Sequence, residues 1–222
     1  VVSLEMDDRS GDWIYRARHP YIAEILYGEV FKTSAERFDN HIKLISRLNP
    51  GYPYDRRIIG DLLRGSKLAE SFTDTRMGEA IYDEALAALG EEPHIYHQKG
   101  LYLKRLAGDV GALKHAEAAL LKALEMAPTD RTIKHSLAEL ALSRSKLTSD
   151  SIERTAWRNE AIAKARPLLS SLNGSHAFHT IAKAELLALS DAIESESDAP
   201  LSVDLVGEAI KAAEETIRTG LQ

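Results

Sequence analysis

The sequence contains no cysteine, which excludes disulfide bonds, thiolate metal ligands and cysteine nucleophiles. A chain without disulfides fits a reducing compartment, and we predict a cytoplasmic location. Long hydrophobic runs are also missing: no stretch approaches the roughly 20 apolar residues of a membrane span, and no secretory signal pattern is present. The chain begins Val1-Val2-Ser3 without a methionine, so we expect it to be part of a longer protein.

Aromatic residues account for only 6% of the chain, and basic residues nowhere form a stripe. The net charge is −6, with both signs interspersed along the sequence. Proteins that bind nucleic acid usually carry a concentrated basic face, so we expect neither a nucleic acid nor a membrane as a partner. Residues 194–222 are locally acidic, with seven Asp or Glu against Lys211 and Arg218, and we interpret them as a solvated helix face and loop.

Motifs for catalysis and nucleotide binding are absent. The sequence has no Gly-x-x-x-x-Gly-Lys-Ser/Thr loop and no Gly-x-Ser-x-Gly turn. His94 and His97, and likewise His176 and His179, lie three residues apart and could share a metal, but a third ligand such as that of His-Glu-x-x-His is missing. We therefore predict that the chain is not an enzyme and holds neither a cofactor nor a metal.

Alanine and leucine supply most of the hydrophobicity, and their spacing is that of amphipathic helices. Alternating runs of β-branched residues are rare, so we predict an all-α fold. Breaks that contain Gly, Pro, Asp or Asn separate the predicted helices, which we place at Asp55–Phe72, Met77–Leu89, Pro93–Leu106, Val110–Met126, Arg131–Lys146, Ile152–Leu172, Ser175–Ile193 and Ser202–Leu221.

We divide the chain into an N-terminal helical segment, residues 1–50, and a repeat region, residues 51–222. In the first region, spaced isoleucines predict a helix over Asp12–Val30, with Pro20 marking a helix start or a junction of two short helices. A second helix follows and ends at Asn49–Pro53, the densest turn signal in the sequence.

A pattern of small and large residues recurs in the repeat region. Gly100 comes one turn after Tyr96, and the next helix carries Ala116, Leu120 and Ala123 before a closing Pro128. Weaker copies flank this pair, at Tyr82 and Ala85, at Ile133, Leu137 and Ala138 with Ala161 and Ala165, and at Phe178, Ile181 and Ala182 with Ala209 and Ala213. The pattern resembles the tetratricopeptide repeat, although the link into the second helix is about four residues longer than in that family.

This resemblance implies an α-α superhelix, or solenoid, in which the first helix of each pair lines a concave groove that binds a protein or peptide. An irregular helical bundle is the alternative. The small residues Gly100, Ala138 and Ala182 each follow a histidine by three residues, at His97, His135 and His179. We predict a partner-binding groove that contains these histidines and further residues of the first helices, namely His94, Leu101, Lys104, Glu139 and Lys183.

One other interpretation of these histidines remains open besides the ligand groove. They are then partly exposed polar residues at a helix interface. One subtype of the family is not expected, because the places where it carries lysine and asparagine to clamp a C-terminal carboxylate hold His97 and Leu101 here.

A second resemblance lies in the segment Asp12–Glu24, which contains Tyr15-Arg16-Ala17-Arg18-His19-Pro20. It is similar to the stretch that ends the helical or winged region of bacterial STAND-type NTPases of anti-phage defence and signalling, just before their C-terminal repeats. The resemblance implies that the chain is the sensor or assembly arm of a larger ATPase, with His19, Arg16 and Arg18 as candidate contacts to a nucleotide phosphate. The alternatives are surface arginines beside a packed histidine, and a free-standing scaffold or adaptor protein without an ATPase.

Overall fold

The computed structural model describes residues 2–6, 13–17, 25, 27–170, 174–194, 207, 210, 211 and 214 of the 222-residue chain. From Ser34 onward every described element is helical, as the sequence predicts. The α-helices are α1 Ser34–Arg47, α2 Pro53–Leu62, α3 Gly65–Ser71, α4 Thr75–Leu89, α5 Pro93–Leu106, α6 Val110–Met126, α7 Arg131–Leu147, α8 Ser151–Ala165 and α9 Gly174–Glu194, with a 3₁₀ turn at Arg166–Leu168. Of these helices, none is both long and apolar enough to cross a membrane.

A β-hairpin stands where the sequence predicts a helix from Asp12. Strand β1, Val2–Met6, pairs antiparallel with strand β2, Trp13–Ala17. The residues of β1 alternate apolar and polar, and β2 begins with aromatic and β-branched residues, which is the pattern of a strand. The helix prediction is wrong over Trp13–Ala17, because it rests on widely spaced isoleucines and overlooks this local alternation, whereas Ile25 and residues 27–30 are helical as predicted.

Aspartate side chains cap helices at the breaks that the sequence predicts. Asp109 accepts a hydrogen bond from the N–H of Ala112, and Asp150 accepts one from the N–H of Glu153. Asp130 caps α7 in the same way through two backbone N–H groups. These carboxylates satisfy N–H groups that have no partner inside the helix, so the helices begin within about one residue of their predicted starts.

Two predicted helices are too long. Asp55–Phe72 is divided into α2 and α3, because Arg64 leaves the helical conformation with φ −60° and ψ 110°. The predicted helix Ile152–Leu172 ends as α8 at Ala165, and Pro167 lies in the 3₁₀ turn that follows. Proline has no N–H to continue the helical hydrogen bonds, which accounts for the early end of α8.

The chain is divided into two compact units, Val1–Ile95 and Tyr96–Gln222. In the first unit, α1 packs against α4. The hydroxyl of the fully buried Tyr82 donates to the carbonyl of Leu63 at 2.9 Å, which satisfies a backbone group at the break between α2 and α3. Whether residues 1–50 form a region with its own role stays a prediction.

In the second unit, helices that follow each other in sequence pack together: α6 on α7, α7 on α8, and α8 on α9, while α7 also contacts α9. The small residues of the repeated pattern lie at buried positions. A Cβ atom on Gly100 would lie 2.6 Å from Cγ of Leu120, and Ala138 and Ala182 are 0% and 6% exposed. These sequential helix-pair contacts are consistent with a helical repeat.

Candidate functional site

The three first helices of the second unit, α5, α7 and α9, are joined by equivalent hydrogen bonds. Nε2 of His97 lies 2.8 Å from Oγ of Ser136, and Nε2 of His135 lies 3.0 Å from Oγ1 of Thr180. Each hydroxyl residue directly follows the equivalent histidine of the next first helix, because Ser136 follows His135 and Thr180 follows His179. The same contact therefore recurs from one first helix to the next.

The direction of these hydrogen bonds follows from the hydroxyl groups. Ser136 already donates its proton to the carbonyl of Thr132 at 3.0 Å, and Thr180 donates to the carbonyl of His176 at 3.2 Å. Each hydroxyl has one proton, so each accepts from the Nε2–H group of the histidine. His135 also points Nε2 at the carbonyl of His176, 3.0 Å away, which requires the same tautomer.

His97 is 7% exposed, so its imidazole lies within the interface between helices. Of the two interpretations that the sequence left open, its position matches a polar residue at a helix interface better than a residue that contacts a ligand. Its buried ring nitrogen is satisfied by Ser136, as buried polar groups generally must be.

Next to this interface lies a cluster of titratable side chains that we call the histidine–lysine face, formed by Lys104, His135, Glu139, His176, His179 and Lys183. Nζ of Lys104 donates to Oε2 of Glu139 at 2.7 Å, which joins α5 to α7. The rings of His135 and His176 lie 5.6 Å apart between centroids, which joins α7 to α9. His176, His179 and Lys183 are exposed, whereas His135 and Glu139 are half-buried.

Electrostatics set the protonation of this face. Burial alone would raise the pKa of Glu139, but the charge and hydrogen bond of Lys104, together with His135 and Lys183, bring that pKa below its ordinary value. Burial lowers the pKa of His135, and burial together with the nearby Lys183 lowers the pKa of His179. At neutral pH the face therefore presents an ionised, lysine-paired carboxylate and neutral imidazoles at His135 and His179.

The lowered pKa of His135 predicts a loss of stability in acid. The unfolded chain takes up this proton at about pH 6.5, before the folded protein does, so the free energy of unfolding falls as the pH drops below that value. We expect His135→Gln, which keeps a donor toward His176 and Thr180, to reduce the slope of unfolding free energy against pH by at most about 1.4 kcal/mol per pH unit.

Denaturant unfolding at several pH values between about 5 and 8 measures this slope. His115→Gln on α6 is the matched control, since His115 is exposed and should leave the slope unchanged. An equal slope in wild type and His135→Gln would contradict the prediction.

The other predicted site residues are not all brought into this cluster. His94 is exposed in the first turn of α5, and Leu101 is half-buried on the same helix. Arg16 lies in strand β2, and Arg18 and His19 lie outside the described residues. Among the described side chains, no three of His, Asp or Glu converge in the manner of metal ligands.

The groove predicted from the sequence does not include His176, which lies three residues before His179. In the sequence this spacing indicates only a candidate metal pair, whereas in the structure His176 contributes its ring and carbonyl to the environment of His135. Ser136 and Thr180 were omitted as well. The signal that identifies them is their place, each directly after a histidine of the repeated pattern.

Over the residues that the structure describes, the fold and its contacts define a helical protein in which about ten helices pack in pairs. Comparison with protein-family models, with curated proteins and with solved structures gives no significant match, and no family is identified. The likeness to tetratricopeptide arrays and to STAND-type NTPases therefore depends on the residues quoted above.

Proposed function

We propose that this chain is a protein-recognition module whose ligand docks on the histidine–lysine face. One observation carries the proposal: three first helices contribute to this face, in a register that the His97–Ser136 and His135–Thr180 hydrogen bonds repeat. Helical-repeat proteins build extended binding surfaces from equivalent positions of successive repeats. In our proposal the repeat region forms a tetratricopeptide-like superhelix, with this face in its concave groove.

The chemistry of the face favours binding over catalysis. Lys104 holds Glu139 ionised through a 2.7 Å hydrogen bond, so this carboxyl is poorly suited to donate a proton near neutral pH. The remaining groups are hydrogen-bond donors and acceptors on the outside of helices, which suit recognition of polar groups on a partner.

We further propose that the module is the sensor or assembly arm of a larger STAND-type ATPase. The segment Asp12–Glu24 supports this through its likeness to the stretch that ends the helical or winged region of those proteins, just before their C-terminal repeats. The sequence has no P-loop of its own, so the nucleotide would be bound by another part of the parent protein.

Partner capture with matched variants tests the recognition function. The full chain, a face variant (His179→Ala with Lys183→Ala) and a control variant (Lys114→Ala with His115→Ala) serve as bait in extract of the source organism. The control residues are an exposed lysine and an exposed histidine on α6, the second helix of the pair formed by α5 and α6. We expect a protein that the wild type and the control retain and the face variant loses, and its purified form should bind the face variant about tenfold more weakly.

A partner that binds all three baits equally would refute docking on this face. All four substituted side chains are exposed, so each variant should keep the helical content and thermal unfolding of the wild type, which circular dichroism checks.

The reading frame that encodes this chain in the genome tests the link to an ATPase. We expect a P-loop and an acidic strand to be encoded upstream of Val1 in the same frame. A start codon close to Val1 would instead support a free-standing scaffold.

A further inference from the structure

Resting on the proposed recognition function, we propose that the ligand of the histidine–lysine face is an acidic segment of a partner protein, whose carboxylates are held by Lys183, His179 and His176. This inference concerns the chemistry of the ligand, while the proposed function concerns only the docking of a protein on this face.

The geometry of α9 supports such a ligand. His176, His179 and Lys183 are spaced by three and four residues, which places them along one side of the helix. All three are exposed, and within the described part of the chain Lys183 forms no ion pair. A carboxylate approaching this side of α9 therefore meets one available ammonium group and two imidazoles that can donate hydrogen bonds.

Charge complementarity supports it as well. The single carboxylate of the face, Glu139, is already engaged by Lys104 at 2.7 Å, so it leaves the cationic groups of α9 available to a ligand. The face therefore contains two lysines and three histidines but only one acidic side chain. A nucleic acid fits less well, since the face offers neither an arginine for phosphates nor an aromatic side chain on which a base could stack.

The affinity should increase as the pH falls. The groups that face one another here are Lys104 on α5, His135 and Glu139 on α7, and His176, His179 and Lys183 on α9. The lowered pKa of His179 keeps its imidazole neutral until the pH falls below about 6.5, whereas the lysines are already charged, so only acid below that value strengthens the attraction for carboxylates. Lys183 supplies the affinity at neutral pH, and His179 supplies its increase in acid.

Fluorescence anisotropy with the full chain tests the inference. The probe is a labelled oligoglutamate peptide, and oligoglutamine of the same length is the uncharged control. We expect oligoglutamate to bind and oligoglutamine not to bind. The affinity should rise by about three- to tenfold between pH 7.5 and pH 5, and it should weaken with added salt because the charges are exposed.

The variants separate the roles of the side chains. Lys183→Ala should weaken binding at pH 7.5 by about three- to fivefold, the effect of losing one exposed ion pair. His176→Gln with His179→Gln should leave that affinity within about twofold and remove the increase in acid. Lys114→Ala with His115→Gln, the matched control on α6, should change neither.

The inference is overturned if oligoglutamate does not bind, if Lys183→Ala binds it as well as the wild type does, or if a single-stranded oligonucleotide binds more tightly than oligoglutamate. These outcomes differ from a failure of the proposed function. A captured partner that depends on the face, together with no binding of oligoglutamate, would leave recognition standing and refute the acidic ligand. Equal capture by all baits would remove the docking surface itself.

Discussion

Replacing Gly100 with leucine should lower the free energy of unfolding by about 3 kcal/mol, because a side chain at this position has no room. A Cβ atom alone would lie 2.6 and 2.7 Å from Cγ and Cδ2 of Leu120 and 3.2 Å from the carbonyl oxygen of Ala116. Leu120 is fully buried, so it cannot turn away, and the α5–α6 contact would have to separate. Denaturant unfolding followed by circular dichroism measures the loss.

Gly60 on α2 provides the matched control. A Cβ atom there meets nothing within 4 Å, so Gly60→Ala should raise stability by about 0.5–1 kcal/mol through helix propensity alone. A second pair of variants isolates the contact between residue 100 and Leu120. Gly100→Ala should destabilise the wild-type protein, but it should stabilise the Leu120→Ala variant by up to about 1 kcal/mol, because the side chain that it would meet is then shortened. If Gly100→Leu were as stable as the wild type, the close approach of α5 and α6 would be wrong, and with it the small-residue register of the repeat.

Removing one partner of the Arg144–Glu117 ion pair should lower the free energy of unfolding more than removing both partners does. Nη1 and Nη2 of Arg144 donate to the two carboxylate oxygens of Glu117 at 2.9 and 2.6 Å, which ties α7 to α6. The guanidinium also lies over the ring of Trp157 on α8, 4.7 Å from its centroid, and the Arg144 side chain is only 7% exposed. Glu117→Leu therefore leaves a buried charge without its carboxylate and should lower stability by about 3 kcal/mol.

The double variant, Arg144→Met with Glu117→Leu, should lie within about 1 kcal/mol of the wild type, because apolar side chains of similar size need no charge compensation. The resulting coupling in the double-mutant cycle should exceed about 1.5 kcal/mol. The exposed pair of Glu160 and Lys164 is the control, and Glu160→Gln should change stability by less than about 0.5 kcal/mol. Additive effects at Arg144 and Glu117 would show that the pair does not tie the two helices together.

The second unit is held by similar pairs at more than one helix contact. Arg158 on α8 donates to Asp191 on α9 at 2.6 Å and to the carbonyl of Leu187 at 3.2 Å. Its side chain is 7% exposed, like that of Arg144, so both arginines place their charge where only a specific partner can compensate it. Neither role was predicted from the sequence, in which these arginines look like ordinary polar residues of amphipathic helices.

What the sequence determined by itself was the helical class of most of the chain, the starts of its best-defined helices and the buried small residues. These features are local: a helix begins where Asp109 or Asp130 can cap it, and Gly100, Ala138 and Ala182 follow the apolar period of their own helix. The hairpin of Val2–Met6 and Trp13–Ala17 was missed because its strands stabilise each other by pairing, which a helical period does not register.

The tertiary structure alone decided which side of each first helix meets its neighbour. His97, His135 and His179 are equivalent in sequence, yet His97 is buried against Ser136 while His179 is exposed. The difference arises because α7 lies beside α5 and supplies the hydroxyl of Ser136, to which His97 is hydrogen-bonded. Exposure and protonation of a side chain depend on the register between helices, and that register is a property of their packing and not of any single segment.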